Sequence, residues 1–170
     1  MVAVAAGSTD NMRRLKDLYP CNTCQTPVEV RSRAEIPHAR CAPCREYKRL
    51  LSQAAYRMQR ANELYEKHRR GHDDALEAAP FWLEAAEQAL SGSVALSKAA
   101  VKATDPAERA KWIRIVLTWS KWATSVNDSA RAHLSAEGIV PVAPVPDLPE
   151  PPTLSAPLMG HLKVITFGGA

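Results

Sequence analysis

The chain has 170 residues, of which 46% are hydrophobic and 24% are charged, and its formal net charge is +4. These values are typical of about one folded domain and exclude a wholly disordered protein. Because no run of about 18 uncharged apolar residues is present, a membrane span is excluded. The apolar residues 1–7 lack the preceding basic residues of a secretory signal. We therefore expect a protein of the reducing cytoplasm.

Residues 1–18 are predicted to be a weakly structured lead-in, and residues 19–50 to form a small four-cysteine zinc finger. The cysteines form two C-x2-C pairs separated by residues 25–40: Cys21, Cys24, Cys41 and Cys44. Two thiolates on each of two tight turns can complete a tetrahedron around one ion, and this spacing is typical of zinc sites. Four protein ligands leave no open coordination position, so we expect one structural Zn2+ as the cofactor.

Three other uses of the four cysteines stay open. Two disulfides would require an oxidising compartment, and a redox C-x2-C motif would require a thioredoxin-like βαβ context. An iron–sulfur cluster is less favoured at this spacing. Arginines lie between and beside the pairs and can offset the formal charge of −2 on zinc with four thiolates, so they have a structural explanation as well as a binding one.

The sequence before the second cysteine pair resembles a known finger. Arg33, Pro37, Ala39 and Arg40 precede Cys41-Ala42-Pro43-Cys44. A first knuckle, a short hairpin and a second knuckle that opens a helix resemble a zinc-ribbon or treble-clef finger. Over residues 21–50 the motif resembles the finger of DksA/TraR-type regulators. Proteins of that family bind RNA polymerase, so the resemblance implies a partner in a transcription complex and the four cysteines as metal ligands.

Residues 45–137 are predicted to form a helical hairpin or a three-helix antiparallel bundle, with the first helix continuous with the finger. That helix is expected over residues 45–70, because apolar residues recur at spacings of three and four and Gly71 can end it. Residues 31–70 contain eleven Lys and Arg against four Asp and Glu. Such a segment is typical of a face that binds a polyanion, although a solvated helix surface has the same composition.

Two further helices follow in the predicted bundle. The second is expected to start near Asp73 or Pro80 and to kink at the Ser-Gly-Ser of residues 91–93. The third begins with Asp105 as N-cap and Pro106 at the first helical position. Its apolar stripe has a heptad-like spacing: Trp112, Val116, Trp119, Ala123, Val126, Ala130 and Leu134. Packing within an antiparallel bundle is favoured for this stripe, with a dimer seam or a partner groove as the alternative.

Residues 138–170 are predicted to form an extended Pro-rich tail, because seven prolines between residues 138 and 157 cannot continue a helix. The β-prone terminal segment, which contains Val164 and Phe167, can add to a sheet edge or fray. Trp122 lies off the stripe of the third helix, either exposed or packed beneath the tail. The candidate partner-interface residues are therefore Trp122, Val164 and Phe167.

Two functions fit these observations. The favoured one is a non-enzymatic zinc-finger protein that binds nucleic acid or a transcription complex through its basic finger-helix segment. The residues expected to face phosphates are Arg31, Arg33, Arg40, Arg45, Lys48, Arg49, Arg57 and Arg60. The alternative is a structural or adaptor subunit of a larger assembly that docks through its helices and tail. Because the sequence has no catalytic or nucleotide-binding motif, we expect no enzyme, no small-molecule substrate and no membrane partner.

Overall fold

The computed structural model describes residues 17–30, 33–69, 75–135 and 149–162. Its elements in chain order are β1 (Asp17–Pro20), β2 (Pro27–Val30), a 3-10 helix (Arg33–His38), α1 (Ala42–Arg69), α2 (Ala75–Lys102), α3 (Pro106–Ser135) and α4 (Ala156–Leu162). The chain divides into two compact units, Met1–Cys44 and Arg45–Ala170. The predicted fold class is confirmed, because the protein is mainly α, with a small cysteine segment before packed helices.

The first unit contains a small antiparallel hairpin. β1 pairs with β2 in a register that sets Asp17 opposite Val30 and Pro20 opposite Pro27. β2 therefore lies within residues 19–50, the segment predicted to form the finger. The last two residues of the predicted lead-in belong to β1, a strand of four residues that depends on pairing with β2 because so short a strand has little stability alone.

α1 buries one side along most of its length. The buried positions include the apolar residues that recur at three and four spacing: Leu50, Leu51, Ala54, Met58, Ala61, Leu64 and Tyr65. Burial of each Leu or Met contributes about 1.5–3 kcal/mol, and this side anchors the helix in the core. The first predicted helix is thus confirmed, starting three residues earlier than expected; Gly71, its predicted end, lies outside the described residues.

α2 is one continuous helix that starts before Pro80 and runs through residues 91–93, where a kink was expected. Gly92 has a different role, because it lies against α1. A Cβ atom at this position would be 3.0 Å from Met58 Cγ and 3.2 Å from the carbonyl oxygen of Ala54. The glycine therefore permits close approach of two helices. None of the described helices is both long and apolar enough to cross a membrane.

The N-terminus of α3 is formed as predicted. The carboxylate of Asp105 accepts hydrogen bonds from the backbone N–H groups of Ala107 at 3.0 Å and Glu108 at 3.3 Å, and Pro106 is the first helical residue. These bonds satisfy two of the N–H groups that a helix leaves without intrahelical partners. Asp105 is therefore the N-cap of α3.

The tryptophans of α3 pack inside the helical unit. Trp112 and Trp119 are buried, and the Trp112 Nε1–H donates to the hydroxyl of Tyr47 on α1 at 2.9 Å. The Trp122 ring meets Trp119 edge-on at 5.6 Å and Tyr65 of α1 at 5.4 Å. Alanines fill much of the remaining core on α2 and allow the helices to approach closely. Packing within the chain, the favoured interpretation of the α3 stripe, is confirmed.

The described part of the tail is partly helical, so its predicted extended conformation is wrong over α4. The N–H groups of Leu158 and Met159 donate to the carbonyl of Ser155 at 2.9 and 3.0 Å. Pro157 is tolerated because it lies in the first turn, where an N–H would have no intrahelical partner. Leu158 is fully buried in the core. Burial of Leu158 stabilises the short helix, and the composition of the segment alone did not indicate this contact.

Candidate metal centre

Two local structures bring the four cysteines together. Cys21 and Cys24 lie in the turn that joins β1 to β2, Cys41 precedes α1, and Cys44 is in its first turn. The backbone N–H of Asn22 donates to Ala39 O at 2.9 Å, and its side-chain amide donates to Pro37 O at 2.8 Å. These bonds join the hairpin turn to the segment before α1.

The hairpin turn itself is tightly hydrogen-bonded. The Cys21 N–H donates to Thr26 O at 2.8 Å, and the Gln25 N–H donates to Cys21 O at 2.9 Å. Gln25 adopts a φ of 61°, a left-handed conformation that a side chain other than glycine adopts uncommonly. The chain therefore reverses within a few residues, and both thiols of the first pair are directed to the same side.

The four sulfur atoms fit one tetrahedral ion. All four Sγ atoms lie within 4.8 Å of one another, and Cys24 Sγ is 3.5 Å from Cys41 Sγ. Zinc–sulfur bonds of about 2.3 Å in a tetrahedron place sulfurs about 3.8 Å apart, so small side-chain adjustments suffice. The cysteines are free rather than joined in disulfides. The predicted grouping of Cys21, Cys24, Cys41 and Cys44 into one metal-binding cluster is thus supported by geometry.

Hydrogen-bond donors surround two of the sulfurs. The Cys41 N–H lies 3.4 Å from Cys21 Sγ, and this bond is the main reason that the pKa of Cys21 is lowered to about 6. The Thr26 hydroxyl lies 3.1 Å from Cys24 Sγ and lowers the pKa of that thiol. Burial raises the pKa of Cys44. A metal ligand must be a thiolate, so an ion that binds here has to displace the proton of Cys44.

A basic face runs along α1 in the second unit. It consists of Arg45, Arg49, Tyr56, Arg60 and Lys67, with the acidic Glu63 among them, and all six are exposed. At 100° per residue these positions fall within about 60° of one another around the helix. Tyr56, in the middle, is 49% exposed. Within the described residues, two of these arginines make weak contacts: Arg49 with Gln53 at 3.4 Å and Arg60 with Glu63 at 3.8 Å.

The other predicted phosphate-contacting residues lie elsewhere. Arg57 donates to Gln88 Oε1 of α2 at 2.7 Å and so belongs to a helix–helix contact. Lys48 is half-buried, about 100° around α1 from Arg49. Arg33 is exposed and Arg40 half-buried in the first unit, while Arg31 lies outside the described residues. Sequence reasoning missed Lys67, although its spacing of seven from Arg60 would have revealed it.

Of the two placements weighed for Trp122, packing beneath the tail is the one found. The ring is buried, and Nε1–H donates to Pro149 O at 2.8 Å. The indole is thus bonded to the start of the described tail segment of the same chain. Val164 and Phe167 lie outside the described residues, so their assignment to a partner interface stays a prediction.

The fold and the site define a mainly helical protein with a four-cysteine candidate metal centre. No family model matches the chain, and neither a curated protein nor a solved structure matches it. The resemblance to DksA/TraR-type fingers therefore rests on the sequence motif alone.

Proposed function

We propose that this is a non-enzymatic zinc-binding protein that binds the phosphate backbone of nucleic acid through the basic face of α1. The observation that carries the proposal is the alignment of four exposed cations on that face, from Arg45 to Lys67. At 1.5 Å per residue they extend over about 33 Å, a length that covers many backbone phosphates. The buried residues of α1 face the core, which leaves this side for a partner.

Zinc is the ion that best suits four thiolates in a reducing compartment. Cys21 and Cys24 would hold it from the hairpin turn, and Cys41 and Cys44 from the start of α1. When bound, the ion would supply a cross-link between these two segments. Since four thiolates complete its coordination, no position stays open for a substrate, and we propose a structural role rather than catalysis.

The chemistry of the basic face supports contact with phosphates rather than bases. Arginine and lysine provide charge, and each phosphate that they neutralise contributes about −0.9 to the salt dependence of binding to duplex DNA. Tyr56 is the one aromatic ring of the face and can stack on a base of a single strand. We therefore propose binding with little sequence preference, in isolation or within a transcription complex.

The test compares two variants with the same loss of charge. Arg49→Gln/Arg60→Gln removes two cations of the basic face, and Arg114→Gln/Lys121→Gln removes two exposed cations of α3. Zinc-loaded protein is titrated against labelled duplex DNA and single-stranded RNA at several salt concentrations. The first variant should reduce the slope of log K against log salt by about 2, and the second should leave it unchanged. Equal effects of the two variants, or no binding at low salt, would contradict the proposal.

The adaptor role is the second candidate, and the structure sharpens its test. Leu158 lies in the core and Pro149 O bonds to Trp122, so a deletion of the whole tail would damage the fold. Deleting residues 163–170 instead removes Val164 and Phe167 and spares α4. An adaptor that docks through its terminus would lose partner capture in this variant while keeping its unfolding free energy.

A further inference from the structure

α2 carries an apolar stripe on its exposed side. Leu83, Leu90, Val94 and Val101 are separated by seven, four and seven residues, so they share one line along the helix. Val94 is 55% and Val101 78% exposed, Leu90 is 39% exposed, and Leu83 is half-buried. The stripe is on the side opposite Gly92, the residue that contacts α1. A run of exposed aliphatic residues on one line is a candidate contact surface.

α3 extends this surface. Ile113 and Leu117 are 45% and 63% exposed and lie one turn apart on the helix that packs along α2. They are on the side of α3 away from Trp112 and Trp122, whose rings contact α1. Because only residues 103–105 connect the two helices, α2 and α3 are antiparallel neighbours, and both sets of residues lie on the exposed side of this pair. Val94, at the edge of the stripe, also borders a groove that Arg49 and Gln53 of α1 line. We name these six residues the α2–α3 apolar face.

We propose that the α2–α3 apolar face binds a second copy of this chain, with each helix packed antiparallel to its own counterpart. In a two-fold dimer, if residue i of one copy contacts residue j of the other, then residue j of the first copy also contacts residue i of the second. An axis at position 92 of α2 sets Leu90 against the partner's Val94, and Leu83 against the partner's Val101. All four apolar residues of the stripe are then paired by one operation.

The same axis also pairs the apolar residues of α3. Ile113 meets the partner's Leu117 when the axis passes position 115. Residue 104 is the middle of the connection between α2 and α3. Position 92 lies twelve residues before it and position 115 lies eleven residues after it. Because the helices are antiparallel, these two positions are side by side at the same height along the pair. One axis therefore pairs both sets of residues, and together they form a four-helix contact.

The charged residues beside the stripe also match under this two-fold axis. The axis brings Glu87 opposite the partner's Lys98, because their midpoint is 92.5. Within the described part of the chain neither side chain takes part in an ion pair, whereas Lys102 bonds Glu46 at 3.0 Å. Glu87 and Lys98 lie too far from the ends of α2 for the helix dipole to explain their order, since that effect is confined to the first and last turns. In the proposed dimer each Glu87 pairs with the partner's Lys98, which within its own chain lines a groove with Glu46 of α1.

The first test is the oligomeric state of the full chain. Sedimentation velocity over about 1 µM to 1 mM, the range in which moderate dissociation constants fall, should reveal a dimer. Val94→Lys places two cations in the apolar centre and should raise the dissociation constant at least tenfold, and Leu117→Lys should do the same from α3. Ser125→Lys adds the same charge at an exposed position of α3 outside the face and should leave it unchanged. A monomer throughout, or a dimer that tolerates Val94→Lys, overturns the proposal.

A charge exchange tests the orientation without altering the apolar residues. Glu87→Lys and Lys98→Glu should each raise the dissociation constant about threefold. In either variant positions 87 and 98 carry the same charge, and the two-fold axis brings them together twice. The double variant restores both pairs and should return it to within about twofold of the native value. Each single change removes a like-charge neighbour within α2, from Glu84 or Lys102 respectively. Because Lys98 lines a groove with Glu46 of α1, the free energy of unfolding of Lys98→Glu is measured as well, and a dimer loss that matches a loss of fold would overturn the assignment. Additive losses in the double variant would overturn the antiparallel arrangement.

Discussion

The two units of the chain are held together by different means. Among the described residues of Met1–Cys44 only Cys21, Val30 and Ala39 are buried, whereas Arg45–Ala170 has a continuous core of Ala, Leu and Trp side chains. Folded segments of about 40 residues usually need a metal or a disulfide because they cannot bury enough apolar surface. We therefore expect a bound ion to stabilise the first unit in place of a hydrophobic core, whereas the core of the second unit forms without a metal.

The largest expected effect is the loss of the metal centre without loss of the helical unit. Cys41→Ser is expected to abolish stoichiometric zinc binding, because three thiolates no longer close the tetrahedron. The hairpin should lose its protection from hydrogen exchange, while the helical signal of the second unit persists. Metal analysis and circular dichroism provide the measurements, with Thr23→Ala in the same turn as the control. Loss of helix together with metal would refute the distinction between the units.

The converse variant should damage only the second unit. Trp112→Ala removes a buried ring and is expected to lower the free energy of unfolding by about 3–5 kcal/mol, without changing zinc content. Tyr47→Phe serves as the control, since it removes only the hydroxyl that accepts the indole N–H and should cost about 1–3 kcal/mol. Urea denaturation measures both values. A Trp112→Ala protein with native stability would show that this ring is not part of the core.

A smaller effect tests a local signal within the second unit. Asp105→Ala should lower the free energy of unfolding by about 1 kcal/mol, because two N–H groups at the start of α3 lose their acceptor. Asp105→Asn keeps an acceptor oxygen and should retain most of the stability. If the alanine and asparagine variants unfold at the same urea concentration, the cap contributes through charge or not at all.

The smallest expected effect concerns pH and the attachment of α4. Burial and the nearby Lys48 ammonium lower the pKa of His161, whose carbonyl accepts the Ser52 hydroxyl at 3.4 Å. The stability that a lowered folded-state pKa contributes is present above the unfolded value of about 6.5, and it is lost as the pH falls below that value and through the folded-state pKa. The native chain should therefore lose more stability than His161→Gln between pH 7.5 and 5. If the free energies of unfolding of the two proteins change in parallel with pH, the burial of His161 does not contribute to the pH dependence.

Local signals predicted most of the elements correctly. The spacing of apolar residues indicated α1 and α3, and Asp105-Pro106 located the start of α3 to the residue, because a cap acts within a few residues of the chain. The positions of β1 and α4 were not predicted. β1 depends on its pairing with β2, and α4 depends on the burial of Leu158, and neither influence can be recognised within a short window of sequence.

The sequence was enough to predict the cysteine pairs, the helical periodicity and the concentration of basic residues before position 70. Each of these features depends only on spacing along the chain. The tertiary structure was needed to show that Arg57 bonds to Gln88 of α2, that Trp122 bonds to Pro149, and that Gly92 permits the approach of α1. It also decided that Leu90, Val94, Ile113 and Leu117 lie on one side of two helices. Those outcomes depend on which surfaces meet, and that choice is made by packing between residues distant in sequence.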